Sequence, residues 1–273
     1  MKLNTEGIVL SEQKLTGGKC LLTILTRNNG ILRCFAKDAK KSSDKYGAAT
    51  SLFCYSNMSI FEGRKSNNLD DAVSKVLFYN IMFDIEKLAL AQYFAELAIQ
   101  VIPEGAGDPE YLSLMLNSLY LLHNDKKHEL AVKAVFELRL IALSGFMPDI
   151  VGCRGCGLYE DDVFYFDMDN SCLWCKNCVR NNNAKAINKN VLNAVRTAFL
   201  AEPKKIFSFQ ISQKDTYLLA DLAELYTLKI TDRSFKTLDY YKKIKYNSDN
   251  TAAAAENVSG KKDENNEAQG NDD

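Results

Sequence analysis

Apolar and polar positions recur with two different periods along this chain, and the change of period divides it. Up to about residue 80, apolar residues gather in short runs between polar turns. GIVLS (Gly7 to Ser11), CLLTILT (Cys20 to Thr26) and ILRCFA (Ile31 to Ala36) are β-branched or apolar runs, with Asn28, Asn29 and Gly30 as a hairpin turn between the last two. LFCYSNMSIFEG (Leu52 to Gly63) and VSKVLFYNI (Val73 to Ile81) bring the set to about five strands. Five short strands with hairpin signals predict a small closed barrel, and the OB-fold is the commonest partly open barrel of that size. Gly17, Gly18 and Lys19 form a plain turn, because a phosphate loop needs a longer glycine frame between a strand and a helix.

Beyond Ile81 the period becomes about 3.6. Ile85, Leu88, Ala89, Phe94, Leu97, Ala98 and Val101 line one face of a helix over Asp84 to Ile102, with Asp84 as its N-cap. Asp108 and Pro109 open a second helix, since proline suits the first helical position. A third runs from about Glu129 to Ser144 and stops at Gly145. Further helices are predicted over Lys189 to Ala201, over Ser212 to Thr231 with Ser212 and Asp215 at capping-box spacing, and over Phe235 to Ile244. The chain therefore reads as an α+β protein: a barrel over 1–80, then a helical domain over 81–247.

Between the third and fourth of these helices lies a cysteine-rich stretch, 152–180. It holds Cys153, Cys156, Cys172, Cys175 and Cys178 around a strand-like core, VFYF. Paired C-x-x-C knuckles present two sulfurs each to one tetrahedral ion, the signature of a structural zinc ribbon. Cys172 with Cys175 and Cys175 with Cys178 both satisfy the second spacing, so spacing alone leaves the second pair open. Cys20, Cys34 and Cys54 stand in apolar surroundings and read as small buried hydrophobes.

Charge changes the picture at both ends. Ser248 to Asp273 carries seven acids against two lysines, a net −5, so the remaining body is +4. With no aromatic residue, that segment reads as a disordered acidic tail. Met1 to Tyr79 is +5, densest where Arg33, Lys37, Lys40, Lys41 and Lys45 form a cationic loop after the third strand, suited to weak contacts with phosphates. The start of the chain has no cationic and apolar leader, and no run of eighteen apolar residues occurs, so a reducing cytoplasm is expected. His123 and His128, the only histidines, flank a polar loop and read as solvated. No H-E-x-x-H, no H-x-E paired with a downstream C-x-x-C and no dinucleotide fingerprint occurs, so the reading is a binding protein without a catalytic residue. A zinc-ribbon RNA-binding or transcription factor and a zinc hydrolase are the other classes such a site admits.

The order of parts resembles one family, RecO, the bacterial recombination mediators and DNA repair proteins. The resemblance is carried by TEGIVLS (Thr5 to Ser11), LTILTRNNG (Leu22 to Gly30) leading into AKDAKKSS (Ala36 to Ser43), and ALAQYFAEL (Ala89 to Leu97). FELRLIALSGFMPDIVGCRGC (Phe136 to Cys156) is the most specific stretch, and Arg233 to Thr237 resembles a terminal R-S-x-K segment. The resemblance implies an N-terminal OB domain, a helical domain and an embedded zinc ribbon at 152–180. It implies G-G-x-x-C-x-x-C at the second knuckle, which makes Cys153, Cys156, Cys175 and Cys178 the ligands of a structural Zn2+. The two glycines then fall on Ser171 and Cys172, which leaves Cys172 within reach as a substitute. Asp38 stands where the family has glycine, and Lys40 and Lys41 replace its arginines. The family binds single- and double-stranded DNA and anneals complementary strands. With RecR it loads RecA onto DNA coated by single-strand-binding protein, whose acidic tail it contacts. A cytoplasmic, nucleoid-associated protein is implied.

Overall fold

The computed structural model describes residues 1–16, 18–37 and 46–248; of Lys37 and Gly47 it describes the backbone alone. Lys40, Lys41, Lys45, and the acidic segment from Asp249 onward, lie outside the described residues.

Five strands build the N-terminal unit: β1 (Lys2–Leu15), β2 (Lys19–Thr26), β3 (Gly30–Lys37), β4 (Cys54–Glu62) and β5 (Asn67–Leu77). They close in the order β1-β2-β3-β5-β4, with β4 returning to β1. The single parallel pairing, Cys34 with Asn67 and Phe35 with Asn68, joins β3 to β5. This is the OB barrel. β5 starts at Asn67, earlier than its apolar content suggests, because only Leu69 and Ala72 point inward while asparagines and aspartates face out. Tyr79 to Ile81, expected as the end of that strand, lie instead in a short helix, α1 (Tyr79–Met82).

β1 explains why Gly7 to Leu10 shows no alternation. Val9 points into the barrel beside Leu22, Ile24, Cys34 and Ile60. Ile8 and Leu10 point the other way and join Leu25, Ile31 and Phe53 in the core of the helical unit. Both faces are covered, so both sets of positions are apolar. The barrel and the helices thus share one interface.

The helices are α2 (Ile85–Val101), α3 (Pro109–His123), α4 (Glu129–Leu143), α5 (Lys189–Leu200), α6 (Gln213–Thr231) and a last one, α7, over 236–248. Asp84 accepts hydrogen bonds from the Glu86 and Lys87 amides, and Asp108 from that of Glu110. Ser212 accepts from the Asp215 amide, but the Asp215 carboxylate turns away from the box to take the side-chain amides of Asn188 and Asn190. α4 is the axis of the bundle: every residue from Ala131 to Ile141 is buried. Phe94 stacks on Phe136 there, ring centroids 4.2 Å apart.

Between α4 and α5 stand β6 (Asp149–Cys153), β7 (Val163–Asp167), β8 (Cys172–Cys175) and β9 (Lys185–Asn188), in the order β6-β8-β7-β9. Phe164, Phe166, Leu173 and Ile187 on the inner face enter the same core as the helices. Neither histidine is a free loop residue. His128 Nδ1 caps α4 by accepting from the Leu130 amide, and His123 packs edge-on against Phe78 and Tyr79. Among the described residues, no helix is long and apolar enough to cross a membrane.

Candidate metal centre and nucleic-acid interface

Two tight turns bring four sulfurs together. In the first, the Cys153 amide donates to the Leu158 carbonyl and the Gly157 amide to the Cys153 carbonyl, both at 2.8 Å. Gly155 is required inside it, because a Cβ there would lie 3.0 Å from Cys178 Cβ and 3.1 Å from its Sγ. In the second, the amides of Cys178 and Val179 both donate to the Cys175 carbonyl, at 3.1 and 3.0 Å. The Sγ atoms of Cys153, Cys156, Cys175 and Cys178 lie within 4.8 Å of one another. Cys156 and Cys175 are 3.7 Å apart. A tetrahedron with metal–sulfur bonds of about 2.3 Å has edges of about 3.8 Å, whereas disulfide sulfurs approach to about 2.0 Å. The four residues fit a tetrahedral thiophilic cation.

Cys172 stays outside this group. It is three residues before Cys175 on the same strand, so the two side chains emerge on opposite faces. It is wholly buried, and burial pushes its thiol up. Ser171, where the family resemblance places a glycine, takes up the left-handed conformation itself, at φ 49°. The turn geometry therefore survives the loss of glycine.

The thiols differ in acidity. Burial works against ionising Cys153, but amides of Cys175, Cys156 and Gly155 aimed at its sulfur more than offset this and bring it down to about 6. Cys178 is pushed up to about 12 by its contacts with the sulfurs of Cys175 and Cys156. Four sulfurs this close repel one another as thiolates, and a divalent cation would relieve that repulsion.

Asp167 organises the turn between β7 and β8. Its buried carboxylate accepts from the amides of Asp169 and Asn170, from the side chains of Asn170 and Asn181, and from Trp174 Nε1 at 3.2 Å. Burial favours its neutral form, yet these donors hold it below the usual carboxylate range. The sequence reading missed it; the D-x-D-N-S run between two strands was the available signal.

On the barrel, Arg33 faces outward from β3 with its side chain 46% exposed, and forms an ion pair with Glu104 in the loop after α2. Lys37 ends β3 directly opposite Lys19 of β2. The structure adds Arg64 and Lys65, both exposed in the turn joining β4 to β5. That turn abuts β3, since Asn67, which follows it, donates from its side chain to the Arg33 carbonyl at 3.1 Å. OB barrels bind oligonucleotides on strands 2 and 3 and on the loops 1–2 and 4–5, the region around Lys19, Arg33, Arg64 and Lys65. The short G-R-K-S run between two strands was the overlooked signal. Elsewhere in the barrel, Cys20, Cys34 and Cys54 are buried, and burial pushes Cys34 up to about 12.

Comparison with known proteins agrees along the chain. The family described as Recombination protein O N terminal matches residues 1–77, and Recombination protein O C terminal matches residues 82–239. A DNA repair protein RecO of Acetivibrio thermocellus is 28% identical over 243 residues, covering 89% of this chain and 97% of its own. The RecO of Alkaliphilus metalliredigens is 29% identical over 251 residues, covering 89% and 100%. That of Caldanaerobacter subterraneus is 30% identical over 205 residues, covering 75% and 83%. With an OB barrel, a helical unit and a four-cysteine cluster each in its place, the chain belongs to the recombination protein O (RecO) family of DNA repair proteins.

Proposed function

We propose that this protein is a non-enzymatic recombination mediator. It binds single- and double-stranded DNA, anneals complementary strands, and with RecR helps load RecA onto DNA coated by single-strand-binding protein, in the cytoplasm at the nucleoid. The observation that supports this most is the OB barrel with basic residues around its oligonucleotide-binding side. Arg33, Lys37, Lys40, Lys41 and Lys45 are its proposed phosphate contacts, joined by Arg64 and Lys65. Arg33 meets phosphates by exchanging its partner Glu104. The four-cysteine cluster holds a structural zinc ion, which supplies cross-linking and no chemistry of reaction.

A body charge of only +4 favours two weak contacts over one tight one: phosphates on the barrel, and the acidic tail of single-strand-binding protein on the helical unit. The test is to time annealing of coated complementary strands without ATP. Acceleration is expected, falling when the coating protein lacks its terminal peptide. Replacing Lys37, Lys40 and Lys41 together by alanine lowers the salt slope of DNA binding by about 0.7 to 0.9 for each phosphate no longer neutralised. No acceleration on coated strands would refute the mediator reading.

A further inference from the structure

The ribbon has an outer face beside the metal centre. Across β8, β7 and β9, Trp174, Tyr165 and Ala186 stand side by side in register. Their neighbours Phe164, Phe166, Leu173 and Ile187 are at most 1% exposed on the inner side, whereas Trp174 and Tyr165 are half-buried and Ala186 and Val163 exposed. Cross-strand partners have Cβ atoms about 5 Å apart, so the two aromatic residues form one patch. Ala186 has no bulk to cover the other side of Tyr165. The indole is fixed by its hydrogen bond to Asp167 and by contact with Gly155.

The charge around this patch is one-sided. From Ser171 to Ala201 the chain has five lysines and arginines and no acid. Lys176 is exposed, as are Arg154 and Arg180, whereas Lys185, opposite Phe166, leaves the sheet on the other face. Of the acids nearby, Asp167 is enclosed by its donors, Asp169 pairs with Lys229 and Glu160 with Lys189. Asp149, beside Cys172 at the start of β8, and Asp161 and Asp162 at the start of β7 remain and limit contacts at those ends. Planar rings held rigidly among cations suit a ligand with planar groups strung on a polyanion. An acidic peptide offers the charge without the planar faces.

We propose that this outer face of the ribbon is a second contact for single-stranded nucleic acid, with Tyr165 and Trp174 stacking on unpaired bases and Lys176 meeting phosphates. It rests on the DNA-binding reading above and adds to it a contact selective for unpaired strands, separate from the barrel. Stacking of this kind tolerates any sequence, because every base has a π-face.

Trp174 is the only tryptophan in the chain, so indole emission reports on this face alone. Full-length protein is titrated with fluorescein-labelled oligothymidylate, and anisotropy and indole emission are followed together. Emission is expected to fall in step with the anisotropy rise. Tyr165→Ala is expected to weaken binding roughly tenfold, the loss of one stacked base, with metal content unchanged. Anisotropy that saturates while emission stays constant overturns this proposal and leaves the barrel site standing. Equal quenching by polyglutamate also overturns it, in favour of an acidic peptide. No anisotropy change overturns both readings.

Discussion

A Cβ atom on Gly30 would lie 2.3 Å from the Pro103 carbonyl oxygen and 2.4 Å from that of Ala106, and the residue sits at φ +60°. Its hairpin role was legible from N-N-G; the second constraint, a loop from the helical unit pressed onto the turn, was not, because it joins residues some seventy positions apart. Gly18 shares the left-handed conformation but has nothing within 4 Å. Gly18→Ala should therefore cost about 1 kcal/mol, the backbone penalty alone, while Gly30→Ala should cost at least about 2 kcal/mol more because backbone must move. Urea unfolding of the two variants checks this; equal costs would mean that the loop adapts freely. The cysteines pose a similar question of reach. Spacing admitted Cys172 as a ligand, and strand alternation places it on the opposite face from Cys175. Cys175→Ser should abolish stoichiometric zinc and unfold the ribbon, since such sites contribute on the order of 10 kcal/mol of apparent folding energy. Cys172→Ser should keep its zinc. Elemental analysis decides, and zinc absent only from Cys172→Ser would reverse the assignment.

Elements whose signals are local were read correctly, and those defined by partners were not. Asp84, Asp108 with Pro109, and Ser212 mark helix starts through side chains that bond to amides two or three residues on. β6, β8 and β9 have four or five residues each, too few to show a period, and are strands only because they pair with one another or with β7. α4 shows what a 3.6 period conceals. It is buried all round, so Lys133, Glu137 and Arg139 lie inside the bundle with the apolar residues. Lys133 Nζ meets Glu137 at 2.8 Å and Glu224 of α6 at 2.9 Å, and Tyr93 of α2 donates to Glu137 at 2.7 Å. Burial opposes the charge on Lys133, but the two carboxylates outweigh it and hold its pKa above the ordinary lysine value. Burial raises Glu137 more than its partners lower it, whereas Glu224, also paired with Lys242, is held low. Lys133→Met leaves the buried Glu137 carboxyl without its cation, Glu224 keeping Lys242, and should cost about 3–5 kcal/mol. Lys133→Met combined with Glu137→Gln should recover a large part of that in thermal unfolding. A double variant as unstable as the single one would show that Glu137 is not the group left uncompensated.

Over the whole molecule, the change of period near residue 80 falls where strands give way to helices but conceals how tightly the two sides are joined. Ile8, Leu10, Leu25, Ile31, Phe53 and Phe78 all come from the first 80 residues, and all belong to the core of the helical unit. The Ile31 amide also donates to the Pro103 carbonyl at 3.1 Å, and Arg33 pairs with Glu104. Fully burying one such side chain contributes about 1.5–3 kcal/mol, so this interface contributes on the order of 10 kcal/mol, as much as the whole stability of a typical domain. The ribbon is joined in the same way through Phe164, Phe166 and Leu173, so barrel face and ribbon face are held in a fixed relation. The barrel should therefore not stand alone. A fragment of residues 1–80 is expected to lack a cooperative thermal transition and to aggregate through the exposed apolar face of β1. Co-expression with residues 81–247 should rescue it as a soluble complex. A fragment that unfolds cooperatively by itself, with the dispersed amide resonances of a folded barrel, would show that the strands close without the helices and that the two units are independent domains.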